Sequence, residues 1–162
     1  PSITENNTLY FLGQLKGVRA NIGIFRSEFK EGKFQKPEAL PESINSKHID
    51  WTPWIAPDES FILWCSVRPG GFGKGDLYIC RNTGNGQWSE AKNLGNRING
   101  PDNERFPAVS PDGKYLFFIS DKVDSTLLKK KNLSFREVVE FFDRPGNGQC
   151  DVYWVKWNAA GK

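Results

Sequence analysis

The sequence predicts an all-β chain built from a repeated unit of about fifty residues. Aromatic residues make up 14% of the 162 residues, and the chain contains 16 Gly and 10 Pro, so short aromatic-rich segments alternate with frequent turns. Three segments also align with one another, and they begin at Pro1, Pro53 and Pro107. A chain of this length can bury a substantial core.

Each copy begins with a short strand, a polar turn and an apolar strand. The third copy reads Pro107-Ala-Val-Ser-Pro-Asp-Gly-Lys-Tyr-Leu-Phe117, and residues 1–11 and 53–63 follow the same pattern. A second apolar block recurs at 21–26, 76–81 and 151–156, and a third block recurs at 32–40 and 86–94. The pairs Ile44-Asn45 and Ile98-Asn99 stand at equal distances before Pro53 and Pro107. Several blocks thus keep one register across the copies.

Four strand-like pieces fit into each copy; in the second they lie near 52–56, 60–66, 76–81 and 88–94. Four antiparallel strands at this period describe one blade of a β-propeller. We therefore predict three four-stranded blades, at 1–52, 53–106 and 107–162, with the first strand of each blade lining a central channel. Three blades leave a ring open, so we expect half of a six-bladed ring, completed by self-association or by further blades of the same chain.

The polar residues inside the repeat have structural explanations. Asp112-Gly113 suits a tight hairpin turn, and Asp58-Glu59 and Asn6-Asn7 fill the same place in the other copies. Asp76 and Asp151, together with Asn21, stand at the start of the third strand. We expect these side chains to accept hydrogen bonds from the glycine-rich loop before that strand.

Three stretches resemble a known family. They are Ser110-Pro-Asp-Gly-Lys-Tyr-Leu-Phe-Phe118, the loop and strand at 68–78, and Trp88-Ser-Glu-Ala-Lys-Asn-Leu-Gly95 with the Ile-Asn pair that comes after it. Together they are similar to the WD40-like (PD40) repeats of TolB-like β-propellers. The resemblance implies a propeller fold, the binding of a partner, and a periplasmic or secreted location. The chain contains no Met, so we expect it to be a processed or excised piece.

An insertion distinguishes the third copy from the second. Arg144-Pro145-Gly146 matches Arg68-Pro69-Gly70, whereas Ser120 already corresponds to Ser66, which places the insertion at about 122–143. A capping box begins at Ser134 and predicts the start of a short helix. Apolar residues come next at helical spacing, and we expect this face to pack against the propeller or a partner: Phe135, Val138, Val139 and Phe142.

The insertion, the glycine-rich loop at 68–75 and the strand starts at 48–52 and 102–106 should meet at one end of the propeller. We call this end the channel-mouth face, and we predict that it binds the ligand. The alternative is that its polar residues are ordinary solvated loop residues. The predicted ligand-binding residues are His48, Asp50, Trp51, Arg68, Glu104, Arg105, Asp121 and Lys122.

The sequence offers little for catalysis. Ser/His/Asp catalysis would need a histidine near a nucleophile, but the chain has one histidine, His48, and no G-x-S-x-G nucleophile motif. Asp50 and Glu104 are the only carboxyl pair that we can nominate for glycoside cleavage. With His48 they could also approach one another as metal ligands, although we predict no metal site and no cofactor. The loop glycines do not form a P-loop, because Gly73-Lys74 leads into a strand.

Charge and apolar pattern exclude other classes of protein. The net charge is +3 and the only basic run is at 129–131, so we expect no nucleic acid partner. No apolar stretch is long enough to span a bilayer. Each of the cysteines Cys65, Cys80 and Cys150 lies within an apolar strand-like stretch, and we expect them to be buried and reduced.

These observations favour a non-catalytic binding scaffold for a protein or a cell-envelope glycan. The alternative is a carbohydrate-active propeller enzyme, a hydrolase or lyase that uses Asp50 and Glu104. A third hypothesis is that the chain is a structural part of a larger propeller, whose functional residues lie in other blades.

Overall fold

The computed structural model describes residues 1–14, 22–125 and 132–158. In these residues the chain is all-β, with three antiparallel sheets, a two-stranded hairpin and one short helix. The first sheet has the order β1-β2-β3-β6, with strands Ser2–Ile3, Leu9–Gly13, Gly23–Ser27 and Glu38–Ala39. The hairpin joins β4 (Phe29–Lys30) to β5 (Lys33–Phe34).

The second sheet is the longest and most deeply buried. Its strands β7 (Asp50–Ile55), β8 (Phe61–Ser66) and β9 (Asp76–Gly84) pair in sequence order. Two short strands, β10 (Gln87–Trp88) and β11 (Lys92–Asn93), both pair with β9 and form the outer edge. The four pieces predicted for this copy are therefore present, with the outermost one split in two.

The third sheet has three strands in the described part of the chain. They are β12 (Glu104–Val109), β13 (Tyr115–Ser120) and β14 (Asp151–Lys156). A fourth strand in this sheet stays untested, because only Trp157 and Asn158 are described after β14. Its register repeats that of the second sheet: Glu104 faces Ser120 as Asp50 faces Ser66.

The tight turn between the first two strands of each sheet confirms the repeat in the backbone. Asn7, Glu59 and Gly113 occupy the same place in the three copies, and all have a positive φ, of 61°, 59° and 72°. Asp112 accepts from the backbone N–H of Lys114, as Asp58 accepts from that of Ser60. The turn is therefore built by the same local hydrogen bonds in the last two copies.

Two apolar clusters hold the sheets face to face. The first lies between the first and second sheets and includes Tyr10, Ile24, Ile62 and Trp64. The second lies between the second and third sheets and includes Leu63, Leu77, Leu116 and Phe118. Because successive side chains of a strand point to opposite faces, β8 supplies both clusters, and all six of its residues are buried.

Repeated polar residues tie each sheet to the next segment of chain. Asn45 donates to the carbonyls of Ile24 and Leu40 and accepts from the Ile24 N–H, at 2.7–2.9 Å. Asn99 makes the equivalent pair of bonds to the backbone of Leu77. These side-chain amides form hydrogen bonds with backbone groups that would otherwise be buried without a partner.

The aspartates at the start of the third strands act as predicted. Asp76 accepts from the backbone N–H groups of Phe72 and Gly73 at 2.7 and 3.0 Å, and Asp151 accepts from that of Gly146 at 2.8 Å. Both therefore order the glycine-rich loop that precedes them. The third residue of this prediction, Asn21, lies outside the described residues.

The insertion contains the predicted helix, α1 (Phe135–Phe142). Its capping box is complete, with Ser134 and Glu137 each bonded to the other's backbone N–H. Of the two alternatives given for its apolar face, packing against the rest of the protein is not what the described residues show, and packing against a partner stays a prediction. Phe135 is 85% exposed and Phe142 52%, and no residue of the helix is buried.

Two of the three cysteines match their prediction. Cys65 and Cys80 are buried and reduced, but Cys150 is exposed, because it stands in the loop just before β14 rather than within the strand. Among the described residues no helix is long and apolar enough to cross a membrane.

Candidate functional site

Two of the segments expected to form the channel-mouth face, the glycine-rich loop and the start of β12, meet at one end of the sheets. The glycine-rich loop is hydrogen-bonded to the start of β12, since the Lys74 N–H donates to the Asp102 carbonyl at 3.0 Å and the Glu104 N–H to the Gly75 carbonyl at 2.7 Å. The loop needs glycine at Gly73, where a Cβ would overlap the carbonyl oxygen of Gly100. This packing joins the second sheet to the third at the site.

Asp50 lies on this end but does not face solvent. Its side chain is fully buried at the start of β7, and it accepts four hydrogen bonds of 2.7–2.9 Å. The donors are the backbone and hydroxyl of Ser46, the indole of Trp64 and the guanidinium of Arg68. The carboxylate is thus satisfied inside the protein, and the expectation that it faces a ligand is not met.

Glu104 occupies the equivalent place at the start of β12 and is also buried. One oxygen accepts from the Gly100 N–H and the other from the Ser120 hydroxyl, both at 2.8 Å. Burial is the main cause that raises the pKa of this carboxyl above its usual range. Two inward carboxylates do not form the solvent-facing pair that glycoside cleavage requires, so the enzymatic alternative has no support from their geometry.

His48, the third member of the possible metal set, is exposed. Because Asp50 and Glu104 point into the protein, the structure does not present these three side chains to one ion. Among the described residues no group of three or more His, Cys, Asp and Glu side chains could hold a metal ion.

Arg68 is used as a structural residue. Its guanidinium donates to the carbonyls of Ser43 and Ile44 and to Asp50, at 3.2, 2.8 and 2.9 Å, and only 15% of the side chain is exposed. It also lies over two aromatic rings, 5.2 Å from the centre of Trp64 and 4.9 Å from that of Tyr78. Arg68 therefore fastens the first sheet's outgoing loop to the second sheet, and little of it is left for a ligand.

Arg105 and Asp121 form a partly exposed pair on the face. Their nitrogen and oxygen atoms are 3.4 Å apart, and Arg105 also contacts the sulfur of Cys150 at 3.1 Å. Burial acts to raise the pKa of Asp121, but hydrogen bonds from Asn103 and the charge of Arg105 outweigh it and hold that pKa below its usual value. Asp121 is consequently anionic and fixed in place.

The remaining predicted residues are more accessible. His48 and Lys122 are exposed, and Trp51 is half-buried, with its ring against the second apolar cluster. The structure thus divides the predicted set into buried groups, a fixed ion pair and three side chains that solvent can reach.

Sequence reasoning missed Phe106, which is 57% exposed at the start of β12. Phe106 and its counterpart Thr52 both have a positive φ, of 52° and 53°, and both sit where the pairing of the inner strand shifts register. The Phe106 N–H donates to the Thr52 hydroxyl at 3.2 Å. Left-handed backbone at two bulky residues is unusual and concentrates at functional positions. The only signal in the sequence is that each residue precedes a repeated proline.

Comparison with known proteins identifies the fold but no family. No protein-family model matches the chain, and no curated protein matches it. A solved structure, "The structure of putative TolB from Agrobacterium tumefaciens", is similar over 74% of this chain, with a TM-score of 0.53 and 18% sequence identity. The match spans 36% of that protein, about a third of its length. The likeness supports a TolB-like, propeller-like fold, as the sequence motifs predicted.

Proposed function

We propose that this protein is a non-catalytic binding scaffold that engages a protein or a cell-envelope glycan through the channel-mouth face. The proposal rests on which side chains of this face are buried and which are accessible to solvent. The two carboxylates that could have served catalysis, Asp50 and Glu104, are buried and bonded internally, whereas aromatic and basic side chains remain accessible.

The accessible groups suit recognition. Phe106 and Phe72 are 57% and 51% exposed, Trp51 is half-buried, and His48 and Lys122 are exposed. Aromatic rings supply contact area and little entropy loss, and they stack on sugar rings as well as on protein side chains. The TolB-like resemblance favours a periplasmic or secreted location for such a scaffold.

A glycan array and a quantitative pull-down, run beside a hydrolase and lyase screen, test this proposal. We expect binding without turnover, and we expect Trp51→Ala and Phe106→Ala to weaken it by about tenfold or more, as for central contact residues. Phe34→Ala is the matched control, because Phe34 is 48% exposed in the hairpin at the opposite end of the first sheet.

Equal loss of binding in Phe34→Ala would place the contact elsewhere. Turnover of a bound sugar that is abolished by Asp50→Asn or Glu104→Gln, with the fold intact by circular dichroism, would overturn the proposal in favour of the enzyme.

We also propose that the three sheets are blades of a larger ring, of about six blades. The third sheet exposes Trp154 and Val152 on its outer face, and the first sheet carries the stacked pair Phe11 and Phe25 on the side away from the second sheet. A second copy, or further blades of the same chain, would cover these faces. Light scattering on the 162 residues should show association that rises with concentration. A monodisperse monomer at high concentration would contradict the ring.

A further inference from the structure

The junction of the first and second sheets contains a complete guanidinium site, and Arg68 fills it. The site has three parts: a buried carboxylate from Asp50, two backbone carbonyls from residues 43 and 44, and a platform made by Trp64 and Tyr78. The platform rings have centres 6.1 Å apart and planes at 33°. Planar Arg uses all three parts together, by forked hydrogen bonds and by stacking.

The junction of the second and third sheets repeats each part of this site. Phe118 and Tyr153 replace the platform rings at the same register, with centres 6.0 Å apart and planes at 24°. Glu104 replaces Asp50. The counterparts all line one cleft of about 350 Å³, and they are Arg97, Ile98, Glu104, Phe118, Ser120 and Tyr153.

The arginine itself is missing from the second site. Arg68 comes two residues after Ser66, and the residue at that place after Ser120 is Lys122, which is exposed at the edge of the cleft. Arg144, which matches Arg68 in the Arg-Pro-Gly motif, lies beyond the insertion, where it pairs with Asp124 at 3.6 Å and is 43% exposed. The insertion has therefore separated the arginine from the site that its counterpart fills.

The hydrogen bonds in the cleft also show that Glu104 lacks the cationic partner that Asp50 has. Asp50 accepts four bonds, whereas Glu104 accepts two and has no Lys or Arg nitrogen within 4 Å in the described part of the chain. An ionised carboxylate can accept about four bonds, so Glu104 retains acceptor capacity. The Arg97 and Ile98 carbonyls, whose counterparts accept from Arg68, receive no hydrogen bond from a described residue. Desolvation without a cation also raises the pKa of Glu104.

We propose that the cleft between the second and third sheets binds a guanidinium group supplied from outside the chain, in the manner in which Arg68 is bound at the first junction. The group is either an arginine side chain of a partner protein or a small guanidinium compound. Ammonium groups fit less well, since they cannot fork between the carboxylate and the carbonyls or stack on the rings. This inference rests on the repeat and stands apart from the proposed function.

An amide NMR titration of the 162-residue chain tests the cleft directly. The probes are methylguanidinium and the capped peptide Gly-Arg-Gly, with capped Gly-Lys-Gly as control. We expect saturable shifts at Gly100, Ser120 and Tyr153, with a dissociation constant of about 1 mM for a small group held by one charge pair, hydrogen bonds and ring contacts. The lysine peptide should bind about tenfold more weakly, since it lacks the planar fork.

Two variants connect the shifts to the cleft. Lys122→Arg should place a guanidinium in the site, and we expect it to abolish the saturable shifts and to raise the unfolding midpoint. Glu104→Gln should weaken binding of the arginine probe about tenfold. Asp102→Asn is its control, because Asp102 lies in the same loop outside the cleft and pairs with Lys74.

The titrations also distinguish the two sources of the guanidinium group. A higher affinity for the arginine peptide than for methylguanidinium identifies a protein side chain as the source, and equal affinities identify a small compound. Absence of saturable shifts with both guanidinium probes overturns the proposal, as does equal binding of the lysine peptide or binding that survives Lys122→Arg. Failure to find a glycan or protein at the channel-mouth face leaves this test unaffected.

Discussion

The two junctions between the sheets share one architecture and differ in a single missing group. At the first junction, Arg68 joins a buried carboxylate, two carbonyls and two rings. At the second, Glu104, Phe118 and Tyr153 stand in the same places around an open cleft. Both junctions keep the Asn side chain, Asn45 or Asn99, that bonds the backbone of the preceding sheet. The repeat thus preserves most of the residues that hold the sheets together, but the insertion leaves the second junction without the arginine equivalent to Arg68.

The difference matters because a buried carboxylate costs free energy unless a cation or several hydrogen bonds compensate it. Asp50 has both, while Glu104 has two hydrogen bonds and a raised pKa. The first junction therefore compensates its buried carboxylate, and the second retains an unused capacity for a positively charged group.

Removal of Arg68 should give the largest effect. Arg68→Ala leaves Asp50 buried without its cation and leaves two carbonyls unbonded, so we expect a loss of about 3–5 kcal/mol of unfolding free energy. Lys122→Ala, the equivalent change at the second junction, should alter stability by no more than about 0.5 kcal/mol, as exposed substitutions do. Urea unfolding followed by circular dichroism measures both. Similar losses in the two variants would show that Lys122 already closes the second junction.

The pH dependence of stability should show a smaller effect, which arises at the second junction. Burial raises the folded-state pKa of Glu104 above its ordinary value of 4.5, so the folded state holds the proton more tightly than the unfolded state does. Its contribution is then fully present below the unfolded pKa and is lost as the pH rises through the folded pKa. Glu104→Gln cannot lose this proton, so we expect wild type to lose stability relative to that variant as the pH rises above 4.5.

Urea unfolding of both proteins in steps from about pH 4 to pH 7 measures that change. Lys122→Arg should reverse its direction, because a guanidinium beside Glu104 favours the ionised carboxylate. A difference between wild type and Glu104→Gln that stays constant across this range would show that Glu104 keeps its ordinary pKa.

The repeat and the features that depend on local rules could be predicted from the amino-acid sequence alone. The hairpin turns at Asn7, Glu59 and Gly113, the capping box of α1 and the loop-ordering roles of Asp76 and Asp151 were all predicted, because each depends on residues close together in the chain. The propeller-like fold was predicted from period and strand number, and the likeness to a TolB structure supports it.

Which polar residues face outward was settled only by the packing of the sheets. Asp50, Glu104 and Arg68 have the composition of a ligand site in the sequence, but they are turned inward, where burial and internal hydrogen bonds satisfy Asp50 and Arg68 fully and Glu104 in part. Conversely, the apolar face of α1 and the ring of Phe106 are exposed although their chemistry favours burial. The open cleft has the same origin. Neighbouring residues fix each strand and turn. Whether a guanidinium reaches Glu104 depends instead on how segments distant in sequence pack together, and no local pattern encodes the separation between the two groups.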